Sequence, residues 1–167
     1  MMKKGKWLVL VVGILILTAL DQLTKHLAVF YLKGKESVSI IKNVFELTYV
    51  ENRGAAFGIL QNHREFFLIL TAVALIAMAW VYWKIPAKKK YTPLSVILLV
   101  LMAGAIGNMI DRGLQGYVVD FFYFKLIDFP VFNVADIYVT VSCFVAVILL
   151  LFAYKETDFE EIFSKEM

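Results

Sequence analysis

The chain has 167 residues, 61% of them hydrophobic, a mean hydropathy of +0.76 and a net charge of +3. Soluble domains are closer to half apolar, so much of this chain is expected to lie in lipid. The small net charge, without a basic and aromatic platform, argues against a nucleic-acid-binding protein. One cysteine cannot form an intrachain disulfide, and the two histidines lack zinc-like spacing. Neither a cofactor nor a catalytic metal is expected.

Four long apolar segments follow one another along the chain, at about residues 7–31, 66–83, 94–112 and 136–154. Each is close to the ~20 residues that a helix needs to cross a hydrocarbon core of ~30 Å. Helices satisfy their own backbone hydrogen bonds in lipid. We therefore predict a single integral-membrane domain over residues 1–167, an all-α membrane protein with four transmembrane helices and a small extracytoplasmic β-sheet.

The first segment has two interpretations. Lys3, Lys4 and Lys6, followed by an apolar run from Trp7, are typical of a cleavable signal peptide. No clean small-x-small cleavage site follows this run, so a retained helix is favoured. Its second half contains Asp21 and Lys25, which lie four residues apart on one helical face.

Asp21 comes about fourteen residues after Trp7, which at ~1.5 Å per residue places it in the outer part of the bilayer. One interpretation of Asp21 and Lys25 is an ion pair that anchors the helix end. The other is a pair that orients the following loop. Neither interpretation makes Asp21 catalytic.

The loop after the first helix has the composition of short strands. Residues 36–50 are rich in β-branched and aromatic side chains, with a turn expected at Lys42 and Asn43, and residues 117–124 are similar. A small sheet lying on the bilayer is therefore predicted. Between this loop and the second helix, Asn52 can form bonds on both edges of its amide, and Gly54 and Gly58 permit close contacts.

The lysines predict the orientation of the chain in the membrane. Two clusters without acids lie before the first helix and between the second and third, at Lys3, Lys4, Lys6, Lys84, Lys88, Lys89 and Lys90. Such clusters are typically cytoplasmic, which places both termini inside and the two long loops outside. The acidic tail after Tyr154 is expected to be solvated.

The third helix ends in a polar face. Gly104, Asn108, Asp111 and Arg112 follow a spacing of three and four residues, and Ala103 and Gly107 form a small-xxx-small pattern. The face is either a packing surface with a polar end or a polar wall that holds a substrate backbone.

Asp120 and Asp136 are lone carboxylates among large apolar side chains. Such charges near hydrocarbon are costly and commonly functional. Asp136 follows Asn133 by three residues, so a helix-capping role is one interpretation. The other is a carboxylate pair that shares a proton and activates water, with the proton on Asp120 and the charge on Asp136, near the helix dipole.

Five ordered blocks of the sequence resemble the lipoprotein signal peptidases, the type II signal peptidases of bacteria. The blocks are Asp21–Lys25, Asn52–Gly58, Gly104–Arg112, Val118–Phe121 and Phe132–Asp136. They extend over almost the whole chain, from the first helix into the fourth.

This resemblance implies an aspartyl endopeptidase of the bacterial cytoplasmic membrane, active at its outer face. It would cut diacylglyceryl-modified prolipoproteins just before the lipidated cysteine, with Asp120 and Asp136 as the catalytic pair. The resemblance implies supporting, substrate-binding roles for Asn52, Gly54, Asn108, Arg112 and Asn133. Asp21, Lys25 and Asp111 are expected to give structural support. It also implies inhibition by a globomycin-like cyclic peptide, and we expect a monomer surrounded by membrane lipid.

Two other functions are compatible with parts of the sequence. Intramembrane carboxylates also serve as proton relays, as in a small proton-coupled transporter or a scaffold subunit. The second helix has no charge between Phe67 and Trp83, which argues against a polar path through the bilayer. A non-catalytic lipoprotein-binding module is the third possibility, and it would not need both aspartates.

Overall fold

A computed structural model describes residues 3–54 and 63–163 of the chain. Four residues of the predicted Asn52–Gly58 block, Ala55, Ala56, Phe57 and Gly58, lie outside the described residues. The helices are α1 Lys3–Leu32, α2 Arg64–Lys84, α3 Thr92–Gln115, α4 Val134–Phe152 and α5 Glu156–Phe163. The strands are β1 Val38–Ile41, β2 Phe45–Asn52 and β3 Val118–Tyr123.

Four of these helices are long and apolar enough to cross a membrane, over Gly5–Leu32, Arg64–Lys84, Lys89–Gln115 and Val134–Phe152. Helix α3 packs against α1, α2 and α4, and it is the most buried of the four. Large apolar side chains such as Ile76 and Phe144 are exposed on the outside of the bundle, where lipid is a better solvent than water. The predicted fold class is confirmed.

A three-stranded antiparallel sheet lies at one end of the bundle, in the order β1-β2-β3. The turn expected at Lys42 and Asn43 joins β1 to β2, and Asn43 takes a left-handed φ of 60°. Val119 and Phe121 of β3 pack against Ala28 and Leu32 of α1. Alternate residues of a strand point to opposite faces, so Asp120 faces away from this apolar contact.

Helices α3 and α4 approach closely at Gly104. A Cβ atom at this position would lie 2.6 Å from the carbonyl oxygen of Ala135, a distance that real Cβ atoms do not reach. Only glycine allows this approach, which brings the C-terminal half of α3 against the start of α4. Helix α3 then ends at Gly116, whose φ of 82° forms a left-handed cap.

The expectation of a solvated acidic tail is wrong for part of that tail. Helix α5 buries Asp158 and Ile162 against the connection between α2 and α3. Tyr91 donates a hydrogen bond to Asp158 (2.9 Å), and Lys90 forms an ion pair with the same carboxylate. These partners outweigh the solvation that the acidic composition alone predicted.

Candidate active site

Asp120 and Asp136 line a single cavity of about 670 Å³ at the sheet end of the bundle. Strand β3 positions Asp120, and the first turn of α4 positions Asp136. The polar residues that line the cavity with them are Glu51, Asn52, Arg53, Asn108, Arg112 and Thr140. The structure therefore brings together two carboxylates that are separated in sequence.

Asp120 is almost fully buried, with 1% of its surface exposed, and two amides bind it. Asn52 Nδ2 donates to its Oδ2 at 2.9 Å, and Asn133 Nδ2 donates to its Oδ1 at 2.6 Å. Val50 pairs with Asp120 across the sheet, so Asn52, two residues further, projects from the same face and reaches it diagonally. Burial, and after it the charge of Asp136, raises the pKa of Asp120 to about 7. A proton can therefore remain on this carboxyl near neutral pH.

Asp136 forms a capping box with Asn133. Asn133 Oδ1 accepts a hydrogen bond from the Asp136 backbone N–H, and Asp136 Oδ2 accepts one from the Asn133 N–H, both at 3.0 Å. The predicted capping arrangement is thus confirmed. It uses one carboxylate oxygen, and the other, Oδ1, accepts from Asn108 Nδ2 at 2.8 Å. Capping is therefore compatible with a second role in the cavity.

Lys25 determines which way the Asn108 amide faces. Lys25 Nζ donates to Asn108 Oδ1 at 2.9 Å, and Asn133 Nδ2 donates to the same oxygen at 3.2 Å. Two donors at the oxygen leave the Asn108 amino group to donate to Asp136. The family resemblance implied substrate-binding roles for Asn108 and Asn133. In the structure, their side-chain amides donate hydrogen bonds to Asp136 and Asp120, respectively.

Asp21, Lys25 and Asp111 form a buried ionic cluster below the cavity. Lys25 Nζ lies 2.9 Å from a carboxylate oxygen of Asp21 and 2.9 Å from one of Asp111. Asp21 accepts from the Ala135 N–H (2.9 Å), and Asp111 accepts from the Val119 N–H (3.3 Å). Each acid therefore holds the residue that precedes one of the two aspartates of the cavity. The ion pair predicted for Asp21 and Lys25 is confirmed, and Asp111, which the sequence analysis grouped with them as structural support, forms a second ion pair with Lys25.

Gly54 and Arg112 meet at the edge of the cavity. Asn52 Oδ1 accepts from the Gly54 N–H at 2.9 Å, and the Arg112 guanidinium donates to the Gly54 carbonyl at 3.1 Å. The same guanidinium lies over the ring of Phe67, 4.7 Å from its centroid. Arg112 lines the cavity and Gly54 lies beside it, and their substrate-binding role stays a prediction.

One residue and one group of residues at the site were not predicted. The single residue is Gln22, whose Nε2 donates to Asp111 at 2.8 Å and to the Gly107 carbonyl at 3.2 Å. Its polar amide within an apolar segment is the sequence feature that could have indicated it. The group forms an apolar wall of the cavity, for which the aromatic run before α4 was the signal. Its members are Phe129, Pro130, Val131, Phe132, Ile137 and Val141. Within residues 3–54 and 63–163, no group of three or more His, Cys, Asp or Glu side chains could hold a metal ion.

Comparisons with known proteins agree with one another. A family model described as Signal peptidase (SPase) II matches residues 13–152. A lipoprotein signal peptidase of Brevibacillus brevis is 47% identical over 144 residues, which cover 86% of this chain and 93% of the relative. One of Caldanaerobacter subterraneus is 48% identical over 134 residues, covering 80% of this chain and 89% of the relative.

Two solved bacterial membrane enzyme structures share the fold. The first superposes with a TM-score of 0.76 at 32% identity and covers 95% of this chain and 94% of the other. The second has a TM-score of 0.74 at 34% identity, with 87% and 94% covered. The resemblance found in the sequence is thereby confirmed, and this multi-pass membrane protein belongs to the signal peptidase II family.

Proposed function

We propose that this protein is an aspartyl endopeptidase that removes the signal peptide from diacylglyceryl-modified prolipoproteins, cutting just before the lipidated cysteine. Family membership supports the substrate class, since the relatives are named lipoprotein signal peptidases. The observation that carries the catalytic part is that Asp120 and Asp136 line one cavity, where burial raises the pKa of Asp120 to about 7.

The proposed reaction uses the two carboxyl groups as one unit with a single proton. Ionised Asp136 takes a proton from a water molecule as the water oxygen attacks the scissile carbonyl. Protonated Asp120 donates to the carbonyl oxygen, so the tetrahedral intermediate carries no net added charge. Collapse of the intermediate breaks the C–N bond, and the leaving amine takes the proton from Asp136. A hydroxyl group of the intermediate returns a proton to Asp120 as the new carboxyl group forms. Water is the only co-reactant.

The walls of the cavity suit a lipidated peptide. Arg112 and the backbone around Gly54 are polar and lie at one edge, where they can bind peptide groups near the scissile bond. Ile137 and Val141 are exposed on α4, so the apolar wall continues onto the membrane-facing surface. Acyl chains can therefore stay in lipid while the peptide reaches the aspartates. The same cavity would accept a globomycin-like cyclic peptide.

The proposed orientation places the aspartates at the outer face and both termini in the cytoplasm, with the protein acting as a monomer. Lys6 donates to the carbonyls of Tyr82 and Ile85, so the start of α1 and the connection after α2 lie at the same end. The basic residues of this end support a cytoplasmic location. The buried ionic cluster lies at the sheet end of the bundle, a distribution that favours a peptidase over a transporter.

A gel-shift assay on a diacylglyceryl-modified prolipoprotein tests the proposal. Asp120→Asn and Asp136→Asn should each abolish cleavage while substrate binding and folding persist, because neither amide can complete the proton transfers. Asp128→Asn is the matched control, since Asp128 is an exposed carboxylate on the connection between β3 and α4 and does not line the cavity. Substantial cleavage by either of the first two variants would refute the aspartate pair, and inhibition by EDTA would point to a metal instead.

A further inference from the structure

A second cavity, of about 270 Å³, lies at the end of the bundle opposite the aspartates. It is enclosed by the first turns of α1, the connection between α2 and α3, and the first turns of α3. None of its lining residues belongs to the candidate active site or to the cluster of Asp21, Lys25 and Asp111. The proposed peptidase function therefore leaves it unexplained.

Lys6 places a buried positive charge at this cavity. Its side chain is 8% exposed, and its Nζ donates to the carbonyls of Tyr82 (2.5 Å) and Ile85 (2.6 Å) at the end of α2. The same Nζ lies 4.2 Å from the centroid of the Tyr82 ring, and an ammonium group has three donors, so one is not used by the two carbonyls. Within the described part of the chain, no carboxylate forms an ion pair with Lys6. The charge can therefore be neutralised by an anion that enters the cavity.

Further polar groups lie around the same opening. Lys88 and Lys89 line it, with the hydroxyl-bearing Thr92 and Ser95 on the adjacent turn of α3. Lys88 forms an ion pair with Glu161, whereas Lys89 is exposed and has no carboxylate partner among residues 3–54 and 63–163. The lining thus has an excess of positive charge and hydroxyl donors, which is the chemistry that binds phosphate oxygens.

The other part of the lining is apolar and open to lipid. Val9 of α1 and Val96 of α3 are 53% and 50% exposed on the membrane-facing surface, and buried Leu99 lies between the two helices. A ligand here would have its charged group among the lysines and a hydrocarbon chain along the valines. This order of groups along the helix axis matches that of a phospholipid.

We propose that this cavity binds one anionic phospholipid of the cytoplasmic leaflet, with its phosphate at Lys6 and Lys89 and an acyl chain between Val9 and Val96. Basic clefts between transmembrane helices at the cytoplasmic surface favour anionic headgroups, by about 1 kcal/mol for each nearby lysine, or about fivefold in affinity. The bound lipid would link α1 to the α2–α3 connection and stabilise the fold. It lies far from the aspartates and takes no part in cleavage.

Thermal unfolding of the purified full chain in detergent tests this proposal, with phosphatidylglycerol or phosphatidylcholine of the same acyl chains added in increasing amounts. Phosphatidylglycerol should raise the unfolding midpoint saturably, and native mass spectrometry should show one retained lipid. Lys89→Gln should raise the half-saturating lipid concentration about fivefold. Lys84→Gln is the matched control, because it removes the same charge from a lysine at the same end that does not line the cavity.

Two further measurements separate the alternatives. Ser95→Leu fills the cavity without changing charge and should abolish saturable stabilisation, whereas Lys6 is left intact because it also caps α2. Equal effects of Lys84→Gln and Lys89→Gln would show diffuse attraction and overturn the site. Equal stabilisation by phosphatidylcholine would overturn its headgroup selectivity. If inorganic phosphate alone reproduced the stabilisation, the cavity would be a free-anion site and the lipid assignment would be wrong.

Discussion

Asn133 is the residue through which the two aspartates are joined. Its Oδ1 caps α4 at the Asp136 N–H, while its Nδ2 donates to Asp120 and to Asn108. The side chain is fully buried, so water cannot replace any of these bonds. One side chain therefore combines a structural role at the helix start with a positioning role toward Asp120.

Two substitutions separate these roles of Asn133. Both variants lose the buried amide bonds, but serine is also a good N-cap, so Asn133→Ala should be about 1 kcal/mol less stable than Asn133→Ser. Neither variant can donate an amide hydrogen bond to Asp120, and a hydrogen bond between neutral groups contributes about 0.5–1.5 kcal/mol. We expect both to cleave roughly two- to tenfold more slowly. Unfolding curves and kcat for the two variants check this, and full activity of Asn133→Ser would contradict the positioning role.

The raised pKa of Asp120 predicts the pH dependence of cleavage. Its ordinary value is 3.8, and burial with the neighbouring charge of Asp136 raises it to about 7, so the folded protein holds this proton well above the pH at which the unfolded chain releases it. As pH rises through 7 the carboxyl pair loses its single proton, and cleavage should fall with an apparent pKa near this value. Initial rates between pH 5 and about 9, at saturating substrate, measure this limb. A rate that stays constant across the range would contradict a proton shared by the pair.

The same raised pKa has a consequence for stability. The stabilisation is fully present below pH 3.8 and is lost progressively as pH rises to about 7, because the folded protein must then bury an ionised Asp120. Asp120→Asn removes this ionisation, so between about pH 4 and 7 its unfolding midpoint should fall less than that of the parent.

At the scale of elements, the crossing of α3 and α4 positions Asn108 beside Asp136. Gly104 allows that crossing, because a Cβ there would lie 2.6 Å from the Ala135 carbonyl and 3.0 Å from Val139. Gly104→Ala should therefore separate the helices, lower the unfolding midpoint by the equivalent of about 1–3 kcal/mol, and reduce activity. Gly113→Ala is the control on the same helix, since a Cβ there meets nothing within 4 Å.

The control should behave in the opposite way. Alanine is about 1 kcal/mol better than glycine in a helix interior, so Gly113→Ala should be neutral or stabilising. Measuring both variants by thermal unfolding distinguishes a steric effect at the crossing from a general effect of helix propensity. Equal midpoints for the two variants would show that the crossing does not depend on Gly104.

The elements could be predicted from the sequence more fully than the contacts between them. Asn133 and Asp136 are three residues apart, so their capping geometry follows from local spacing alone. The bond from the Ala135 N–H to Asp21 joins residues that are 114 positions apart, and no local pattern indicates it. The orientation of the Asn108 amide likewise depends on Lys25, which lies on another helix.

At the scale of the whole molecule, the lipid environment explains why apolar composition alone predicted the four long helices. Their apolar lengths were sufficient for the fold class, because a continuous apolar segment of this length satisfies its own backbone in hydrocarbon as a helix. Helix α5 has only eight residues, so that rule does not apply to it. Its acidic sequence did not predict that it packs against the connection between α2 and α3. It packs because Tyr91 and Lys90 bind Asp158 while Ile162 joins the apolar core. That docking ties α5 to the basic end, and the ionic cluster ties α1, α3 and the start of α4 together at the other.

The distribution of charge between the two ends predicts how the protein lies in the membrane. Single-cysteine variants in a Cys143→Ser background test it, with Lys35→Cys after α1 and Lys155→Cys after α4, both at exposed positions. In intact spheroplasts, a membrane-impermeant maleimide should label residue 35 and spare residue 155 until the membrane is permeabilised. The reason is that the lysine clusters at the residue-155 end resist translocation. Labelling of residue 155 from outside would invert the topology, place Asp120 and Asp136 in the cytoplasm, and contradict a site that meets exported prolipoproteins.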